Sequence, residues 1–159
     1  MSTKLWYGWN EMRRDVNALC REVMIDKYDP NVIVGIARGG LLPGIMMSHW
    51  MHKPFKPIIA SLRDFPEWED YLPRKTDKRV LILDDICDSG ETFERISEHI
   101  KRPRENMPLQ LQCDVRFASL WWNNEVDFKP HYYVREEAKD TNKLWIIFPW
   151  ESWWNAPNK

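Results

Sequence analysis

The sequence predicts an α/β fold: a central, mostly parallel sheet flanked by helices. Strand-like runs alternate with helix-like ones, an order that implies parallel strands joined by right-handed crossovers. The chain has 159 residues, a length suited to one domain with a sizeable core. Its composition, 43% hydrophobic and 30% charged, is that of an ordinary globular protein.

The elements follow in order. Residues 6–28 read as a helix, because Trp9, Met12, Val16, Leu19 and Val23 recur at steps of three and four and form one apolar stripe. Asp29-Pro30-Asn31 ends it. "NVIVGIA", 31–37, is a β-branched run that reads as a buried strand, and "RGG" is the turn after it. "LLPGIMMSHWM", 41–51, is a helix with Pro43 in its first turn, where a missing N–H costs little. "KPIIASL", 56–62, is a second strand. The charged stretch 63–78, broken by Pro66 and Pro73, reads as a long loop, functional or disordered, or as a pair of mobile edge strands. "RVLILDD" is the third strand, and "ETFERISEHIKR" a helix burying Phe93, Ile96 and Ile100. Pro103 and Pro108 bracket a turn, residues 109–122 hold one or two strands, and short strands and turns follow up to "KLWIIFPWESWW".

Composition narrows the function. A net charge of −1 disfavours a general nucleic-acid or membrane-surface binder. No apolar run approaches a membrane span, and the N-terminus lacks a signal-peptide core. Three scattered cysteines without a C-x-x-C suit a reducing, cytoplasmic setting. His49 and His52 lie three apart on a helix but lack a third ligand nearby, so they read as surface or interface. Ten tryptophans imply core or interface packing, or a platform for a flat ligand.

Ligands of parallel sheets bind beyond the carboxyl ends of the strands. Two motifs stand there. In "VLILDDICDSGET", the adjacent Asp84 and Asp85 repel each other and resist desolvation, so they call for a cation or for hydroxyl groups. The turn "DSGET" has the makings of a phosphate cradle: free N–H groups at a helix N-terminus, the hydroxyls of Ser89 and Thr92, and Gly90 for close approach. The same residues also satisfy a capping box, Asp88-x-x-Glu91, without any ligand. "GIARGG" has neither the spacing of a dinucleotide fingerprint nor the lysine of a P-loop. Arg38, Gly39 and Gly40 still combine a permanent cation with bare backbone and suggest a second anion site. Together the two sites imply a sugar with a phosphate at one end and a diphosphate at the other.

"VLILDDICDSGET" resembles the phosphoribosyl-pyrophosphate signature of type I phosphoribosyltransferases. "NVIVGIARGGLLPG" is similar to the pyrophosphate loop of their 6-oxopurine branch. "LWIIFPWE", 144–151, is similar to the base-binding segment of xanthine-guanine phosphoribosyltransferases and their archaeal relatives. The resemblance runs from about residue 6 to residue 151. It implies a single domain over 1–159, with a lid near 63–78 and a small C-terminal hood over about 123–159 that binds the base. It places Asp88, Ser89, Gly90, Glu91 and Thr92 around the 5′-phosphate and Asp84 and Asp85 at the ribose hydroxyls, with Asp85 nearest Mg²⁺. Arg38, Gly39 and Gly40 would take the pyrophosphate, and a non-proline cis peptide is expected at Ala37–Arg38. Asp88 would also be the catalytic proton acceptor, Trp145 the stacking ring, and the Ile146 carbonyl a reader of an exocyclic amine. Arg63, Arg74 and Lys75 are the lid's available cations.

One position departs from the family. Relatives carry a lysine at the end of the strand before the last loop, where its ammonium donates to the purine 6-oxo group. This chain reads "ASLWWNN", placing Asn123 there, with Lys129 as a substitute if the alignment slips. Asparagine is both donor and acceptor, so 6-amino or modified bases join the candidates. The expected protein is a Mg²⁺-dependent purine-type phosphoribosyltransferase, a homodimer or higher homo-oligomer. The alternatives are a non-catalytic sensor of phosphoribosyl pyrophosphate or nucleotide, and a transferase for a non-6-oxo or modified base.

Overall fold

A computed structural model describes residues 1–59, 79–101 and 114–157, and the side chains at 99–101 lie outside that description. The expected lid at 63–78 therefore falls outside the described residues.

The element order is β1 (Thr3–Trp6), α1 (Trp9–Ile25), β2 (Val32–Ile36), α2 (Leu41–Met51) and β3 (Phe55–Ile58), then β4 (Arg79–Cys87), α3 (Glu91–Lys101) and β5 (Asp114–Asn123), and last β6 (Tyr132–Glu137) and β7 (Leu144–Ile147). A one-turn 3₁₀ helix, Trp153–Asn155, follows. The main sheet has five strands in the order β3-β2-β4-β5-β6, and every pairing in it is parallel. β1 and β7 form a separate parallel pair.

Strand alternation divides the core in two. On one face Ile33, Leu81, Leu83, Ala118 and Leu120 pack with Met12, Val16, Leu19 and Val23 of α1 and Met47 of α2. On the other, Val32, Val34, Ile36, Val80, Ile82 and Phe117 pack with Phe93 and Ile96 of α3. Strands buried on both faces need near-continuous apolar runs, which is why "VIVGI" and "RVLIL" carry no polar alternation. β5 and β6 are joined by only the eight residues 124–131, without a helix. Phe128 in this return fills the place a helix would occupy, with ring centroids 5.5 Å from both Phe93 and Phe117.

Two sequence expectations are corrected. The first helix does not run from residue 6. Residues 3–6 are drawn into β1 by pairing with Leu144–Ile147, far along the chain, and Gly8 starts α1 with its N–H donating to Glu11 at 2.7 Å. Trp9, the first residue of the supposed stripe, is 53% exposed. The second strand begins at Phe55 and closes at Ile58, a short edge strand in which Pro57 is tolerated, while residues 60–62 of the expected 56–62 lie outside the described residues. Among the described residues, 109–122 contributes a single long strand, β5. Trp121 and Trp122 do alternate: Trp121 meets Tyr7 edge-on at 5.8 Å, and Trp122 donates its Nε1–H to the Phe128 carbonyl at 2.9 Å.

Phe93 is 2% exposed and joins α3 to both β5 and the return loop. Phe93→Ala is expected to cost about 3–5 kcal/mol by urea denaturation. A loss near zero would mean that α3 is not held by this cluster.

Candidate functional site

The topology marks the place. After β2 the chain leaves toward β3; after β4 it leaves toward β5, on the other side. The crevice between the ends of β2 and β4 is the switch point where parallel sheets bind ligands. Gly35 and Leu83 are partners across these strands, so the turn at 37–40 rises beside Asp84 and Asp85. The contact leaves no room for a side chain. A β-carbon at Gly39 would fall on the Asp85 carboxylate, and one at Gly40 would strike the Leu83 carbonyl. The Ala37–Arg38 peptide is cis, as the resemblance implied. Arg38 is exposed; its carbonyl accepts from Leu41 N–H at 3.1 Å, and its guanidinium has no hydrogen-bond partner among the described residues.

Asp84 and Asp85 lie in the carboxyl-terminal half of β4, partly buried and adjacent. Their own backbone holds them: Asp85 N–H donates to Asp84 Oδ1 at 2.9 Å, and Ile86 N–H to Asp85 Oδ1 at 2.8 Å. Among the described residues no cation pairs with either. Desolvation, reinforced by the Asp85 charge, drives the Asp84 carboxyl well above the usual range. Desolvation lifts Asp85 to about 6, against the hydrogen bonds from Asp84 and Ile86, and Glu151 pushes it the same way. Burial thus disfavours the ionised form of both carboxylates.

Beyond β4, Gly90 takes φ 80°, a left-handed angle suited to glycine, and its would-be β-carbon meets Phe128 Cβ at 2.6 Å. Its carbonyl accepts from Glu94 N–H at 2.9 Å, so α3 begins here and presents its first-turn N–H groups outward. Ser89 Oγ accepts from Glu91 N–H at 3.3 Å. The capping-box reading of Asp88 and Glu91 fails. The Asp88 carboxylate turns to the other side of the crevice, where Lys139 Nζ sits 2.7 Å from Oδ2.

That other side is formed by the C-terminal segment, residues 139–151. A cavity of about 110 Å³ is lined by Asp85, Ile86, Asp88, Lys139, Trp145, Ile146, Phe148 and Glu151. Trp145 is 55% exposed, and Lys139 Nζ lies 5.6 Å from its ring centre. The carbonyls of Lys143 and Ile147 accept from Thr3 and Tyr7 of the β1 segment, at 2.8 and 2.9 Å. By strand alternation the Ile146 carbonyl points to the opposite edge. A larger hollow, about 460 Å³, lies between the β1–α1 turn and the C-terminal segment, walled by Trp6, Trp9, Pro149 and Trp153. The carboxylate pair and both anion-type turns lie outside its walls, so the strand-end crevice is the better site.

Asn123 does not line the small cavity. It is 2% exposed, and its amide group is committed to the protein. Nδ2 donates to the Asp88 carbonyl and to Asp140 Oδ2, each at 3.3 Å, and Oδ1 accepts from the N–H groups of Glu125 and Lys139, each at 3.3 Å. The assignment of Asn123 to the base is corrected on that ground. Lys129 is no substitute, because it lies over the rings of Trp122 and Tyr133 at 5.2 and 5.5 Å. The cation in the cleft is Lys139, which no spacing in the sequence singled out; it enters from the β6–β7 connection.

With this geometry in place, comparison with known proteins decides the family. The phosphoribosyl transferase domain matches residues 7–156. The chain belongs to this family. It is thereby a pentosyltransferase, with the α/β architecture of that fold. It is 26% identical to a xanthine-guanine phosphoribosyltransferase of Chromohalobacter salexigens over 151 residues, covering 91% of this chain and 82% of that one. The corresponding protein of Gluconobacter oxydans is 29% identical over 154 residues, with the same coverage. Among solved structures, a purine phosphoribosyltransferase from Pyrococcus horikoshii superposes with a TM-score of 0.71 at 28% identity, covering 98% of both chains.

The acid pair also sets a pH dependence in this phosphoribosyltransferase. Both pKa values are raised by folding, so the native state binds more protons than the unfolded chain. The stabilisation is complete below the ordinary value of 3.8 and is lost as pH rises through the raised pKa of each group, about 6 for Asp85. The ligand-free protein should lose thermal stability as pH rises from about 4 through about 6, and Asp84→Asn should flatten that decline. Identical slopes by calorimetry would show that the pair is not coupled to folding.

Proposed function

We propose that the protein transfers the phosphoribosyl group of phosphoribosyl pyrophosphate to a purine-type base, releasing pyrophosphate and forming a nucleoside 5′-monophosphate. One observation carries the reading: the bare Gly39 backbone lies against Asp85, between a phosphate-type turn on one side and Trp145 on the other. The relatives' names, a xanthine-guanine and a purine phosphoribosyltransferase, agree with it.

In this reading Ser89–Thr92 and the first-turn N–H groups of α3 hold the 5′-phosphate. Asp84 and Asp85 accept from the ribose hydroxyls. Arg38 and the N–H groups of Gly39 and Gly40 hold the pyrophosphate and take up the charge it gains on leaving C1′. The base stacks on Trp145, and the Ile146 carbonyl faces its exocyclic group. As one ring nitrogen attacks C1′, Asp88 accepts the proton the base loses. Lys139 Nζ, 2.7 Å from Asp88 Oδ2, holds that carboxylate in the cleft.

The donor set suits Mg²⁺. Asp85 can bind it and Glu151 faces the same cavity, while no group of three or more protein ligands exists among the described residues. Magnesium is commonly held by one or two carboxylates, with substrate phosphates and water completing the shell. When bound it would neutralise charge on the diphosphate. The buried free thiols of Cys20 and Cys87 accord with a reducing cytoplasm. Leu42, Ile45 and Trp50, exposed along α2, support a homodimer or higher homo-oligomer.

The test is a panel of purine and pyrimidine bases with phosphoribosyl pyrophosphate and Mg²⁺, read as pyrophosphate release. Turnover of at least one purine is expected. No turnover with any base, alongside retained nucleotide binding, would favour the sensor instead. Asp88→Asn should lower kcat by about 10²-fold or more while donor binding persists. Unchanged turnover would remove Asp88 as the proton acceptor.

A further inference from the structure

We infer that Tyr7, Asp15 and Arg135 are positioning residues: their hydrogen bonds set where the β1–β7 pair stands against the main sheet. The kinetic part of the inference rests on the phosphoribosyl transfer proposed above; the geometric part does not. The crevice is divided between the two sheets. The acid pair and both anion-type turns belong to the main sheet, whereas Trp145, Ile146, Phe148 and Glu151 come from β7 and the turn after it. β7 pairs with β1 and is not a strand of the main sheet. The two halves of the site therefore stay in register only if the sheets keep one orientation.

A polar triad links them. Just past β1, Tyr7 N–H donates to the Ile147 carbonyl at 2.9 Å. The Tyr7 ring meets Phe148 edge-on, with centroids 5.6 Å apart. Its hydroxyl donates to Asp15 Oδ2 of α1 at 2.6 Å. The same oxygen accepts from Arg135 Nε at 2.6 Å, and Arg135 stands on β6 opposite Trp121 of β5. The guanidinium carbon lies 5.2 Å from the ring centres of both Tyr7 and Trp121. One chain of contacts thus runs from the main sheet through Asp15 and Tyr7 to Phe148, whose N–H donates to Glu151 Oε2 at 3.0 Å.

Burial argues for positioning rather than for stability alone. Tyr7 is 2% exposed and Asp15 8%. A buried carboxylate and guanidinium contribute little beyond what apolar packing would, and the best-attested use of such a pair is to fix register. Two directional donors on one oxygen admit one arrangement, where apolar contacts alone would tolerate sliding. None of the three residues lines the cleft, so they act on it through Phe148 and the Ile147 carbonyl.

The experiment compares the full chain with Tyr7→Phe, Asp15→Ala and Asp15→Asn. It measures kcat and both KM values with phosphoribosyl pyrophosphate, Mg²⁺ and the purine turned over fastest in the base panel. Amide hydrogen exchange is followed at residues 144–151 and 79–87 by mass spectrometry. Tyr7→Phe should raise the base KM about 10-fold. The donor KM should stay within about twofold, because the donor's groups sit on the main sheet. Exchange at 144–151 should quicken about 10-fold while 79–87 stays protected. Asp15→Ala should show the same split more strongly, and Asp15→Asn, which keeps an acceptor, should fall between. Tyr7→Phe keeps the ring and its packing, so it decides if Asp15→Ala fails to fold. An unchanged base KM in Tyr7→Phe, or base and donor KM values that rise together, would overturn the inference. If the wild type turns over no base, the proposed transfer fails and exchange decides alone. Faster exchange confined to 144–151 then upholds the geometric part; unchanged exchange, or loosening of both segments alike, sinks it.

Discussion

Two neighbouring carboxylates at the end of a buried strand are unfavourable in isolation, and much of the site is arranged around them. Asp84 and Asp85 sit where β4 leaves the core, held by hydrogen bonds from Asp85 N–H and Ile86 N–H. Opposite them the chain supplies bare backbone: Gly39 lies so close to Asp85 that even a methyl group would overlap the carboxylate. The strain of like charges and the absence of side chains serve one end, a narrow gap that a hydroxylated, multiply charged ligand can fill with hydrogen bonds and a cation. An acid pair satisfied by an internal lysine would be more stable and would have nothing to bind with.

The rest of the fold supports this gap. The parallel pairing of β2 with β4 sets the height of one turn against the other. The return at 124–131 locks Gly90 beneath Phe128, so the phosphate-type turn is backed by an aromatic cluster rather than by solvent. The β1–β7 pair ties the first residues of the chain to the segment that carries Trp145, and so holds that segment over the crevice. Stability and ligand geometry thus draw on the same contacts, and that couples the two.

The main sheet was legible because its strands are buried on both faces. Runs such as "VIVGI" and "RVLIL" admit few other readings, and α2 was read over its full observed length. The signature turns were legible for a different reason: Gly39 and Gly90 stand where backbone must approach closely or turn left-handed, and such needs are written in residue type. The errors fell where distant segments compete. Residues 3–6 carry a plausible continuation of the helical stripe, yet pairing with Leu144–Ile147 outweighs it. Capping was the obvious local use of Asp88, but a lysine fifty-one residues later takes the carboxylate.

The sequence by itself determined the layered α/β architecture, the two anion-type turns and the acid pair, since each is specified by a short run whose chemistry is local. The tertiary structure alone decided which polar group stands beside Asp88 and Trp145 in the cleft. Asn123 occupies the expected place in the chain, but its amide is drawn into hydrogen bonds within the protein. Lys139 reaches the cleft from another loop because an ammonium is stabilised beside Asp88 and near the indole face. Position along a strand can suggest where a side chain begins; where its charge comes to rest depends on the partners that folding brings to it.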